Sequence, residues 1–280
     1  NARTFIFEMI IWLASYPKSG NTFLRSLLTS YFYSKDGNFS FDLLKETNQF
    51  PDKDIFNRLG IDIRDKYKVA ENYITAQEEI NKSNKLEFLK THSSFCKMYN
   101  KFNFSSLNSS LGVIYIVRDP RNVLLSFARH NSQTISKTFD LMINEKTIGN
   151  EEDQPEVYMG SWSFHYNSWK IYRKQKKYFL VKYEDLINDT KNIFIKILEF
   201  INNLISSKFI IDDSKLLNTI KSTKFSKMKK LEEKFGFKEA KINENTGETI
   251  PFFNLGPKND WKKLLDHKIK IELENTFKKE

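Results

Sequence analysis

Lys18, Ser19, Gly20, Asn21 and Thr22 lie between an apolar run, Ile10 to Ser15, and a stretch in which Phe23, Leu24, Leu27, Leu28, Tyr31 and Phe32 recur at helical spacing. A helix that opens straight after Gly20 turns unpaired backbone N–H groups and the positive end of its dipole toward the turn, and Lys18 adds a full charge. That chemistry is anion binding, with phosphate or sulfate as the natural guest. A second apolar run ends in Lys90-Thr91-His92, where alternation puts Lys90 and His92 on one side of the extended chain. An imidazole with an ordinary pKa of about 6.5 can take a proton from a hydroxyl at neutral pH, so His92 is the candidate base, with Lys90 beside the transferring group. A third run ends at Arg118-Asp119-Pro120: Asp119 as N-cap and Pro120 at the first helical position mark a helix start, and Ser126 falls two turns in on the face of Asp119.

The elements that must position these residues follow from the pattern around them. Strands are expected over Ile10 to Ser15, Leu86 to Lys90, Gly112 to Val117 and Tyr178 to Tyr183, each followed by polar or helical sequence. Such alternation implies a parallel sheet flanked by helices, an α/β fold, and 280 residues suit one large domain. One core-facing stripe is expected on the first helix, with Arg25, Ser26, Thr29 and Ser30 off it. The segments from Lys35 to Lys85 and from Asn131 to Tyr158 lack a strong strand pattern; beside an open sheet that binds ligands at its strand C-termini, they read as lids or acceptor walls.

The turn is not a Walker A loop, whose Lys follows its last Gly; here Lys18 precedes Gly20. Tyr16-Pro17-Lys18-Ser19-Gly20-Asn21-Thr22 instead resembles the 5'-phosphosulfate loop of sulfotransferases that use 3'-phosphoadenosine 5'-phosphosulfate (PAPS). Lys90-Thr91-His92 is similar to the family segment that carries the catalytic His and its accompanying Lys. The Arg118 to Ser126 stretch resembles the family's 3'-phosphate motif, where a fork of guanidinium donors suits a dianion. Gly160-Ser161-Trp162, His165 and Trp169 resemble a helix of the cytosolic members; Trp162 and Trp169 are expected in the core, and His165 as a satisfied core residue or an acceptor-pocket wall. Tyr183-Glu184-Asp185 and Thr223-Lys224-Phe225 look like family segments that line the adenine, and Phe23 stands where relatives carry an adenine-stacking Trp. The last match, from Phe252 to Lys262, keeps Phe, Gly256 and Asp260-Trp261-Lys262, but has Asn254 and Leu255 where an Arg-Lys pair would clamp the 3'-phosphate. There Lys258 is a candidate substitute, and Gly256 can still offer its amide.

The resemblance implies the P-loop NTPase-like sulfotransferase fold, a single domain over 1–280, and sulfuryl transfer from PAPS to a hydroxyl or amine without a metal. His92 is then the base, with Lys18 and Lys90 at the reacting group. The nucleotide would be held by Lys18, Ser19, Gly20, Asn21, Thr22, Phe23, Arg118, Ser126, Tyr183, Thr223, Phe225, Asn254, Leu255 and Gly256. The acceptor is expected to be a small molecule or a glycan.

Three rivals share parts of this pattern. A metal-dependent P-loop phosphotransferase needs a Lys and Ser/Thr after the glycine. An inactive nucleotide-binding relative would not need the intact Lys18 and His92. A nucleic-acid binder would use the net charge of +10, from 45 Lys and Arg against 35 Asp and Glu, but the basic residues are diffuse and no aromatic recognition motif accompanies them. The single cysteine, Cys96, excludes an internal disulfide framework and fits a reducing compartment, so a cytoplasmic location is expected. No stretch reaches the ~18 apolar residues of a membrane span, since Glu8 interrupts the N-terminal candidate. Residues 1–8 are expected to be an N-terminal extension, and the C-terminus to be cut within a helix.

Overall fold

The computed structural model describes residues 9–150, 153–243, 246–256 and 259–279; Lys258 and the 1–8 extension lie outside them. Five strands form one sheet in which every pairing is parallel: β1 Ile10–Ala14, β2 Asn48–Gln49, β3 Glu87–Thr91, β4 Gly112–Val117 and β5 Tyr178–Lys182. Their spatial order is β2-β3-β1-β4-β5. The chain leaves β1 toward one edge and returns on its other side as β4, so the crevice at the carboxyl end of β1 is the place where such sheets bind ligands.

All five residues of β1 are buried, as a strand with helices over both faces requires. Ile10, Trp12 and Ala14 pack with Phe50, Tyr73, Phe104 and Trp169, while Ile11 and Leu13 face Leu24, Leu27, Leu28, Phe194 and Ile197. That split is the two-residue period of a strand made visible. The four expected strands are all present, with ends within one residue of their expected bounds. The fifth, β2, lies in the segment that showed no strand pattern; at two residues it is too short to display a period, and its register, Asn48↔Leu89 and Gln49↔Lys90, comes from β3. The second unpatterned segment holds another such pairing, an antiparallel hairpin of Ile148–Gly149 with Val157–Tyr158.

The helices that frame the site are α1 Asn21–Tyr33, α2 Pro120–His130, α3 Ile135–Ile143, α4 Trp162–Ser168, α5 Tyr183–Asn188, α6 Thr190–Leu204, α7 Asp213–Ser222, α8 Phe225–Phe235 and α9 His267–Phe277. α1 departs from the one-stripe expectation: Arg25, Ser26, Thr29 and Ser30 are buried as well as the leucines. Burial on that side is tolerable for Arg25, Ser26 and Ser30 because their polar groups are satisfied nearby, whereas the Thr29 hydroxyl is buried without a partner among the described residues. Ser26 and Ser30 donate to the carbonyls of Thr22 and Ser26, four residues back, at 2.8 and 2.7 Å. Arg25 donates to Thr47 Oγ1, Leu44 O and the Glu239 carboxylate. Among the described residues no helix is long and apolar enough to cross a membrane.

Candidate active site

The turn between β1 and α1 is built from backbone that side chains seldom adopt. Lys18 has φ +64° and Gly20 φ +100°, the kind of left-handed backbone from which anion nests are made; between them Ser19 N donates to Tyr16 O at 3.3 Å and closes the turn. Gly20 has a second reason to lack a side chain: a Cβ there would stand 2.3 Å from the Tyr183 ring. Asn21 ties the turn down, its amide donating to Leu13 O at 2.9 Å and Ser15 Oγ at 3.1 Å. Lys18 Nζ rests over the Phe252 ring, 3.8 Å from its centre. Burial brings the Lys18 ammonium down to about 7; Glu239 opposes the shift, and Lys90, Arg118 and Lys241 add to it. Among the described residues Ser19 Oγ, Asn21 Oδ1 and Arg118 Nε are buried with no partner. Of these Asn21 Oδ1 can only accept, while Arg118 Nε is an orphaned cationic donor, and a cationic nest beside such a donor fits an anionic guest.

His92, one residue beyond β3, is held by Ser15 at the end of β1. Its Nδ1 lies 2.7 Å from Ser15 O; a carbonyl can only accept, so Nδ1 carries the proton and Nε2 keeps its lone pair. Burial, then the neighbouring Lys90 charge, hold the His92 pKa well below 6.5, so the ring is neutral at physiological pH. His92 and Lys90 both line the cavity, as their spacing predicts. His165 does not. Its Nε2 donates to His92 O at 3.1 Å and its Nδ1 accepts from Tyr115 Oη at 2.8 Å, which makes it the satisfied core residue and not a pocket wall. Trp162 and Trp169 are core, as expected, although α4 ends at Ser168 and Trp169 opens a 3-10 turn.

These groups open onto a cavity of about 1440 Å³ at the strand C-termini. Arg118, at the tip of β4, donates to Lys18 O at 3.3 Å and lies over the Tyr183 ring, 4.4 Å from its centre. Tyr183 itself is the first residue of α5, not the last of a strand. Asp119 caps α2 by accepting from Arg121 N, with Pro120 following, and Ser126 faces the cavity. Phe23, Tyr183, Phe225, Asn254, Leu255 and Gly256 also line it, and a Cβ on Gly256 (φ +52°) would meet Phe225 at 2.4 Å. Thr223 is the exception: fully buried at the C-terminus of α7, its hydroxyl donates to Thr219 O at 2.7 Å and it is not among the lining residues. Ser19 is buried beneath the turn and reaches the cavity only through its neighbours.

The structure adds residues that spacing did not suggest. Glu239 enters the cradle from the segment after α8, accepting from Thr22 Oγ1 at 2.9 Å and Arg25 Nη1 at 2.7 Å. Burial alone would raise its carboxyl; Lys90 and Arg25, with the two hydrogen bonds, hold it well below the usual carboxylate range. Arg129 stands one turn after Ser126, and the Asn254 side-chain oxygen accepts from its Nη1 at 2.5 Å and Nε at 2.9 Å. The i, i+3 spacing from Ser126 was the available signal for Arg129; Glu239 had none. His130 is a second cavity histidine, brought down to about 3 by burial and then by Lys18 and Lys241.

Residues 9–280 match the family described as Sulfotransferase domain. The chain is 30% identical over 166 residues to a 3-beta-hydroxysteroid sulfotransferase of Cavia porcellus, covering 58% of this chain and 53% of that protein. It is 30% identical over 130 residues to sulfotransferase 2A1 of Homo sapiens, 46% of this chain and 42% of that one. The chain thus spans about half the length, or less, of these curated relatives. Among solved structures, mouse sulfotransferase SULT7A1 complexed with PAP superposes with TM-score 0.59 at 20% identity, covering 98% of this chain and 84% of that one. Retinol dehydratase in complex with retinol and PAP gives TM-score 0.61 at 16% identity, with 98% and 81% covered. Both share the fold.

Proposed function

The chain belongs to the sulfotransferase domain family, and from that premise we propose that it moves a sulfuryl group from PAPS to a hydroxyl or amine of an acceptor. One observation carries this reading: Lys18, the Lys90–His92 pair and Arg118, from the ends of three strands, converge on one cavity. At about 1440 Å³ it exceeds the roughly 300–1,000 Å³ typical of a one-ligand site, which suits a nucleotide and an acceptor together.

In this scheme the nest at Lys18 to Thr22 holds the phosphosulfate, and Arg118 and Ser126 hold the 3'-phosphate. Asn254 and Leu255 cannot supply charge there, but Asn254 holds Arg129, which does, with the Gly256 amide beside it. Phe23, Tyr183 and Phe225 border the adenine, while Thr223 supports α7 from behind. The bound nucleotide supplies the sulfuryl group. His92 Nε2 accepts the proton of the acceptor hydroxyl as its oxygen bonds to sulfur. Lys18 and the N–H groups at the start of α1 meet the charge left on the phosphate oxygen when the S–O bond breaks. Lys90 faces the same centre. The half-buried thiol of Cys96, pushed up to about 12 by burial, takes no part, and a reducing cytoplasm suits it.

Titrating 3'-phosphoadenosine 5'-phosphate (PAP) into the folded protein in a calorimeter tests the reading. Binding of one PAP per chain supports it; the absence of heat removes it.

A further inference from the structure

The cavity has two ends of different chemistry. Residues 44–52 and 131–159 contribute nineteen of its lining residues; of these Leu44 packs beside Phe23 and Phe225, and Gln49 stands in register with Lys90. Not one of the nineteen is Phe, Tyr or Trp, in a chain that is 15% aromatic. Six are carboxamides: Asn48, Gln49, Asn131, Gln133, Asn150 and Gln154. A site for an apolar small molecule is usually walled by hydrophobic and aromatic side chains with few polar groups; this end reverses the proportion. Of its apolar members, Leu44 and Met159 are buried in the core and present little surface.

The amides are not all spent on the protein. Gln133 Oε1, in the turn between α2 and α3, is buried with no hydrogen-bond partner among the described residues. The side chains of Asn48 and Gln49, on β2, are likewise unclaimed by any described residue. A carboxamide offers two donors and an acceptor with two lone pairs, the complement of a hydroxyl that both donates and accepts. Several such groups around one space match a ligand with several hydroxyls, and a one-hydroxyl apolar ligand would leave them desolvated and unpaired.

Resting on the sulfuryl-transfer reading above, we infer that the acceptor is polyhydroxylated, a sugar or the end of a glycan, and not the steroid that names the Cavia porcellus relative. The hydroxyl presented to His92 is selected by the amides that hold its neighbours, with Gln133 the specificity-determining residue.

The test uses the full chain, PAPS, and mass spectrometry of products with glucose, N-acetylglucosamine, lactose and chitotriose on one side and a 3-beta-hydroxysteroid and 2-naphthol on the other. PAP calorimetry is run on the same preparation. We expect PAP binding together with sulfation of at least one saccharide, at a kcat/KM about a hundredfold or more above the steroid. PAP binding with preference for the steroid or naphthol, or with no saccharide sulfated, overturns the acceptor assignment and leaves the nucleotide reading standing. A preparation that does not bind PAP overturns both. Gln133→Leu should raise the KM for the saccharide about tenfold with kcat and PAP affinity little changed. A KM unchanged in Gln133→Leu and also in Gln49→Leu overturns the role given to the amides.

Discussion

The nest end and the amide end of the cavity are made by different kinds of chain. The nest is assembled at the ends of four adjacent parallel strands, the central two buried almost throughout, and its key residues fall within a few positions of a strand terminus. The amide end comes from a two-residue edge strand, a turn between two helices and a two-residue hairpin. Rigid strands fix the position of a reacting group to a fraction of an ångström; short loop-borne elements can vary without disturbing the sheet. On the proposed reading, the chemistry is carried by the part of the fold that cannot move cheaply, and acceptor choice by the part that can.

The sharpest way to break that division is at His92. His92→Ala should lower kcat by a factor of ~10² to 10⁴ while PAP affinity stays nearly unchanged, because in the proposed mechanism the ring receives a proton and does not hold the nucleotide. Steady-state kinetics with parallel calorimetry checks it, and His130→Ala serves as the contrast: it too lines the cavity, but among the described residues no carbonyl fixes its tautomer as Ser15 O fixes that of His92. If His130→Ala is the variant that collapses, the base has been misassigned. Next in size, Arg118→Ala should weaken PAP binding by roughly 10- to 100-fold, the worth of charge-assisted hydrogen bonds to a dianion. Its effect on acceptor KM should be small; a comparable loss there would mean that the two ends are not separate.

What could be read before any coordinates divides along the same line. The nest, the candidate base and the Arg118–Ser126 pair were legible because residue type and strand terminus stand together in the chain. Period-2 and period-3.6 patterns located the four long strands and α1 for the same reason. β2 was not legible, since two residues carry no period and β3 imposes their pairing. Nor was the burial of Arg25, which depends on Thr47, Leu44 and Glu239 meeting it from two distant segments. Thr223 matched a motif by spacing, yet at the last turn of α7 its hydroxyl folds back on Thr219 O, a local competition that sequence similarity does not reveal. Arg129 answers the missing cation at Asn254 only in three dimensions.

Glu239 blurs the boundary, because a carboxylate from outside the strands sits at the nest and engages Thr22. Beside an incoming phosphosulfate it is a like charge, so Glu239→Gln should tighten PAP binding by about tenfold. The same change leaves the Arg25 guanidinium buried without its carboxylate, and thermal stability should fall. Tighter binding with a lower Tm is the expected pair of results from calorimetry and thermal melting. Weaker binding would mean that Glu239 orders the nest and does not compete for it.

The smallest expected effect is also the most specific to the nest. With its ammonium brought down to about 7, Lys18 is largely neutral above that pH in the free protein, whereas a bound anion favours the charged form. Binding then takes up a proton, and PAP affinity falls as pH rises above about 7 toward the higher pKa of the complex. Between pH 7.5 and 8.5 the loss should be about eightfold, with nearly one proton taken up at the upper end, from a single group with a free pKa of about 7. Calorimetry in two buffers of different ionisation enthalpy reads the proton directly. His92 does not contribute, since its pKa lies well below this range and it stays neutral throughout. Lys18→Arg keeps its charge at every accessible pH and should flatten the profile; a slope that survives in that variant belongs to another group, and the anion would not be held by Lys18.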